Sequence, residues 1–172
     1  MQELIGAFFI AVFGGATIAA LLVTVVILLP NLSSLTERVL ETMPGRSFAL
    51  GAINFIFFLT VAAVLSQIGQ GIGGFFGGLF SLTALTIALI LLLLLTIGLA
   101  GLVRLIGERM NDGRTLSTAQ LLRAAALLIS AALAPLAGWF VLTPLALFTS
   151  LGAIIIALVQ WSGKRFFSKP PA

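Results

Sequence analysis

The sequence predicts an all-α integral membrane protein with five transmembrane helices, the last two short and hairpin-like, plus a short amphipathic interfacial helix. Three observations predict it. Hydrophobic residues make up 60% of the chain and charged residues only 8%, whereas a soluble domain carries roughly 25% charged residues on its wet surface. No charge interrupts residues 4–36, 47–103 or 124–163, and about 20 residues of helix suffice to cross a hydrocarbon core ~30 Å thick. With five crossings drawn, every Lys and Arg falls on one side of the membrane, the pattern left when positive charge is retained on the cytoplasmic side during insertion.

The first crossing is expected over residues 4–29 and ends at Pro30-Asn31, because proline cannot continue a helix interior. Glu3 stands where a cleavable signal would carry a base, and the apolar stretch is too long for a signal core. Residues 32–43 form the amphipathic helix. Ser34-Leu35-Thr36-Glu37 fits a capping box, and Leu32, Leu35, Val39, Leu40 and Met43 share one face, with Glu37, Arg38 and Glu41 elsewhere. Lying on the membrane surface and packing as a loop helix are both open to it.

Pro44-Gly45 reads as a turn, followed by the second crossing at 47–67. A glycine cluster at 69–78 is a poor isolated helix and is expected to turn the chain at the far surface. The third crossing covers 82–106, and 108–120 is the longest polar loop, turning at Asn111-Asp112-Gly113. The stretch 121–161 could be one overlong helix or a hairpin on Pro135-Leu136-Ala137-Gly138. Charge decides for the hairpin, since four crossings would place the basic tail at 164–172 on the wrong side. The whole of 1–172 is thus one polytopic membrane domain with its N-terminus outside and its C-terminus cytoplasmic.

Composition also excludes chemistry. There is no Cys and no His, which removes thiolate sites, disulfides and the commonest metal and haem ligand. The basic residues form no stripe, so the pI near 11.3 does not point to nucleic acid. No ionisable residue lies deep in an expected crossing, where proton relays and ion-coupled carriers need one. No catalytic, cofactor or metal site is expected, because Ser66, Ser130 and Ser150 have no base in sight.

Some motifs recur in a known setting. The apolar helix ends Leu28-Leu29-Pro30, an amphipathic link follows, and Pro44 precedes Ser47-Phe48-Ala49-Leu50-Gly51. Leu102-Val103-Arg104-Leu105-Ile106-Gly107-Glu108-Arg109, then Pro135-Leu136-Ala137-Gly138-Trp139 and Leu151-Gly152-Ala153, complete the series. Over most of the chain this resembles the multi-helix membrane domain of bacterial proteins often found with bactofilin-type, polymer-forming modules. The soluble β-solenoid module of such proteins is missing here. The resemblance implies a bacterial inner-membrane scaffold or accessory domain and transfers no catalytic residue.

Candidate contact residues follow from the physics of lipid, where small residues let helices approach closely. Gly69, Gly73 and Gly77, and Gly74 and Gly78, have that spacing, alongside their reading as a turn. A phosphate-loop reading fails for want of the required Lys and Ser or Thr. Asn54, the most polar group well inside a crossing, is expected to hydrogen-bond in helix packing, with a pigment or substrate contact as the alternative. Arg104, Arg109 and Arg123 border the basic side, where they could snorkel or form a lipid-headgroup pocket, and Arg104 could pair with Glu108 one turn on. Trp139 and Trp161 suit the two interfaces.

The function expected is that of a non-catalytic membrane subunit or scaffold in a larger assembly. Its partners would be the lipid bilayer and other membrane subunits or further copies of itself. The alternative is a small channel or carrier for an uncharged or lipidic solute, motivated by the prolines at 135 and 144 and by the glycine cluster.

Overall fold

A computed structural model describes residues 2–111, 116–134 and 136–167. They form α1 (Gln2–Leu28), α2 (Pro30–Thr42), α3 (Pro44–Ile72), α4 (Gly74–Met110), α5 (Thr118–Leu133), a π-helical turn (Gly138–Leu142) and α6 (Thr143–Phe167). Asp112, Gly113, Arg114, Pro135 and the side chains of the basic tail lie outside the described residues. Among the described residues three helical stretches are long and apolar enough to cross a membrane, with a fourth if the bent α1–α2 pair is one span.

Prolines and glycines set the breaks. α1 stops at Leu28, α2 starts at Pro30, and the chain bends by 104° between them. Pro44 opens α3, where its missing N–H is no loss, so the expected Pro44-Gly45 turn is instead the first turn of a helix. Gly73 and Gly74 take φ of +65° and +58°, a region that costs any residue with a Cβ, and they fold α3 back onto α4. The capping box expected at Ser34 is absent. Because α2 begins at Pro30, Ser34 lies inside the helix, and its hydroxyl donates to the Asn31 carbonyl at 3.0 Å. A capping box does start α5, where Ser117 and Gln120 satisfy each other's backbone N–H groups.

Residues 121–161 are not one continuous helix. Ala134 is extended and Leu136 sits at φ 67°, a left-handed conformation that costs an L-residue about 1–2 kcal/mol. The π-helical turn then closes with the Thr143 N–H on the Gly138 carbonyl. Pro144 follows at once. Its ring would clash with the Phe140 carbonyl in an unbroken α-helix, and a widened turn avoids that.

The long helix α4 is the hub and packs against every other helix. On one side Ala100 and Val103 join Leu22, Val23 and Val26 of α1 and Leu121, Ala124 and Ala125 of α5. On the other, Leu105 joins Val39 and Leu40 of α2 and Ala153 and Ala157 of α6, while Ile97 packs on Leu151 and Ile154. At 37 residues a helix is about 55 Å long, well beyond a ~30 Å hydrocarbon core.

The tightest contacts are between backbones. A Cβ added at Gly51 of α3 would overlap the Phe148 carbonyl oxygen and lie 2.7 Å from the Gly152 nitrogen of α6. One added at Gly152 would overlap the Ser47 carbonyl oxygen. Gly98 stands likewise against the Ser150 backbone, and Gly101 against the Thr36 side chain at 2.7 Å. Without Cβ atoms, helices approach to distances at which dispersion attraction is strongest, and dispersion carries helix association in lipid.

Gly51→Ala or Gly152→Ala should therefore destabilise the fold by about 1–3 kcal/mol, the usual cost of overpacking. Gly14→Ala, at a site with open space, should leave stability unchanged or slightly raised. Thermal unfolding in mild detergent checks both, and equal effects at Gly14 and Gly51 would refute the crossing.

Candidate functional site

The helix α2 carries an unexpected inner face. Its buried residues are Ser33, Thr36, Glu37, Val39 and Leu40, so polar groups outnumber apolar ones where it meets α4 and α6. Val39 and Leu40 do turn inward as expected, and Leu35 packs beside them. Glu37, however, does not join Arg38 and Glu41 on the exposed face. It is only 4% exposed. The reason lies on α4: Gly101 leaves room for α2 to come close, and Arg104, one turn on, supplies the countercharge.

Three charged side chains meet there. Arg104 Nε lies 2.8 Å from Glu37 Oε2, and an outer nitrogen of the same guanidinium donates to Glu108 Oε1 at 3.4 Å. The Nε contact is an ion pair by distance, but the N–H is not aimed at the oxygen, since Nε has no directed hydrogen bond. Glu37 Oε1 is buried with no hydrogen-bond partner, as are the Ser33 and Ser150 hydroxyls. Burial, aided by the neighbouring Glu108 carboxylate, pushes the Glu37 carboxyl up from 4.5 to about 7 against the opposing pull of Arg104.

The expected contact residues divide by position. Gly69 and Gly77 face each other across the α3–α4 hairpin, since a Cβ on Gly77 would overlap the Gly69 carbonyl oxygen. Gly73 and Gly74 make the turn itself, and Gly78 faces open space. The Asn54 amide donates to the Leu50 carbonyl of its own helix at 2.8 Å, so that bond is not an interhelical one. Arg104 turns to Glu37 and Glu108, whereas Arg109 and Arg123 are exposed. Arg104 is thus already engaged by two acids, which leaves the other two for any headgroup. The two closest helix contacts, at Gly51 and Gly152, lie outside the expected set, as do those at Gly98 and Gly101. Ser47 and Gly51 have small-xxx-small spacing, the one signal that points to them.

A second feature is an apolar cleft of about 550 Å³ between the start of α3 and the helices α4, α5 and α6. Phe48, Leu102, Leu128, Leu142 and Leu145 line it, and Thr149 is the only polar side chain among the described residues that do so. Comparisons with protein-family models, curated proteins and solved structures give no match.

The raised carboxyl makes stability depend on pH. Its folded value of about 7 exceeds the ordinary 4.5, so the folded state binds the proton more tightly. Stability is then greatest below about 4.5 and falls as pH rises through about 7, by on the order of 3 kcal/mol for the group alone. Glu37→Gln should flatten this dependence and be the more stable form at alkaline pH. Thermal unfolding across the pH range measures it, and a wild-type curve that rises through the same window would contradict the cluster.

Proposed function

We propose that this chain is a non-catalytic membrane subunit or scaffold that works by packing against other membrane chains. One observation carries the reading: threonines along the spans, and Asn54, turn back onto their own helices. Thr60 donates to Ile56, Thr86 to Leu82, Thr96 to Leu92 and Asn54 to Leu50. Such bonds meet the demand that lipid places on polar groups and leave them unavailable for a reaction or an aqueous path. The charged cluster is spent internally, joining α2 to α4. Between the charged helix ends the outward surface is mostly apolar: α3 buries only Ser47, Gly51 and Gly69 along its length. A bacterial inner-membrane setting follows from the resemblance to bactofilin-associated membrane domains.

The topology belongs to the same proposal. Five crossings are α1, α3, α4, α5 and α6, with the N-terminus outside, the C-terminus cytoplasmic and α2 at the cytoplasmic interface. The charge pattern supports it, and so does the break between α5 and the π-helical turn. A second reading, a carrier or binder of an uncharged or lipidic solute, is favoured by the apolar cleft alone.

Purification in gentle detergent followed by native mass spectrometry should find partner chains or a homo-oligomer. A monomer with no partner after crosslinking would count against the subunit. Transfer of a lipidic solute between vesicles by that monomer would favour the carrier. Topology is separately testable, because the chain has no cysteine. A Ser168→Cys variant should resist membrane-impermeant thiol reagents in intact cells, and labelling from outside would overturn the five-crossing arrangement.

A further inference from the structure

The Glu37–Arg104–Glu108 cluster has two acids and one base. With both acids ionised it carries one uncompensated negative charge in a seam where Glu37 is enclosed. It also leaves Glu37 Oε1 as a buried acceptor with no donor. A buried acceptor without a partner is costly, and so is a second like charge beside a buried one. One proton shared between the two carboxyls corrects both faults. It cancels the excess charge, and it supplies the missing O–H while Arg104 keeps a carboxylate.

We propose that Glu37 and Glu108 form a proton-binding site on Arg104, and that loss of this proton undocks α2 from α4 and α6.

The groups around Glu37 support a single shared proton. From α4 it is faced by Arg104 and Glu108. The described side chains of α6 and α1 include no charged group, α3 offers only the exposed Arg46, and α2 itself carries Arg38 and Glu41 outward. Among the described side chains no second base faces Glu37 to balance the second acid. The raised Glu37 value agrees with this geometry.

The build of α2 makes it the element that moves. Only two of its fully buried side chains are large and apolar, Val39 and Leu40; Leu32 and Leu35 are half-buried, and Ser33, Thr36 and Glu37 fill the rest of the inner face. Hydrophobic burial therefore holds it weakly, and the ionic tie counts for more. It is joined to α1 through Leu29 and to α3 through Met43, both outside helical geometry (φ −122° and −139°). Two single-residue joints let a 13-residue helix lift as a unit. The Ser33 hydroxyl, buried without a partner, gains water when it does so. The proposal does not depend on what the chain assembles with.

The test uses the full chain in lipid nanodiscs. Infrared spectroscopy follows the protonated-carboxyl band, and hydrogen exchange, corrected for the intrinsic chemical rate, follows the α2 amides. In the wild type the band should fade as pH rises through about 7, and α2 protection should drop roughly tenfold or more between about pH 5 and about pH 9, a unit of pKa mismatch being a factor of ten. Glu37→Gln, which keeps a donor and loses the charge, should abolish the band and hold α2 protected throughout. If that variant fails to fold, Glu108→Gln removes the other acid and should move the pH dependence of α2 exchange to lower pH. Absence of a carboxyl band titrating near neutrality would overturn the shared proton. Equal pH dependence of α2 exchange in wild type and either variant would overturn the undocking.

Discussion

Backbone contact between α3 and α6 at Gly51 and Gly152 is the constraint on which the rest of the structure depends. Lipid offers no hydrophobic force to drive helices together, since acyl chains are as apolar as leucine. What remains is close packing, and the two glycines bring the helix backbones into direct contact. The neighbouring groups follow from that proximity. Ser47 is fully buried, and Phe148 sets its ring against both Phe48 and Phe55 at 5.7 and 5.5 Å. α4 then inserts Gly98 against the Ser150 backbone, and Gly101 receives α2. Each step uses a missing side chain to admit the next helix.

That economy explains why the charged cluster can exist where it does. A helix as long as α4 outruns the bilayer core, so its last turns, with Arg104 and Glu108, can leave the hydrocarbon. α2 lies across this end and covers the guanidinium with Glu37. Pairing makes the burial tolerable, but a buried ion pair is weak grounds for stability, because desolvation offsets most of the attraction. The cluster is better understood as a joint whose strength depends on protonation than as a fixed tie.

Much of the fold was legible in the sequence, for local reasons. Charge-free runs announce long apolar helices, Pro30 stops one, and the left-handed backbone at Gly73-Gly74 turns another. The interruption near residues 135–138 was readable from proline and glycine, although the π-helical turn was not. Two of the misreadings share one cause, a tertiary neighbour that a linear pattern cannot supply. Amphipathic reasoning sends every charge outward, so Glu37 was placed with Arg38 until Arg104 of a distant helix drew it in. Dense glycines attract notice at 69–78, yet a lone glycine such as Gly51 reads only as a weak point in a helix until another backbone is found against it. Ser34 fits a capping box by spacing, but helix α2 begins at Pro30, which leaves Ser34 no terminus to cap.

The crossing of α3 and α6 can be measured directly. Phe48 and Phe148 are ring neighbours at 5.7 Å, and the chain contains no cysteine to compete. A Phe48→Cys/Phe148→Cys double variant, treated in native membranes with a short bifunctional thiol reagent, should crosslink rapidly and within one chain. Each single variant should not. Failure of the double variant to crosslink, with both thiols shown to be reactive, would contradict the helix crossing on which this account rests.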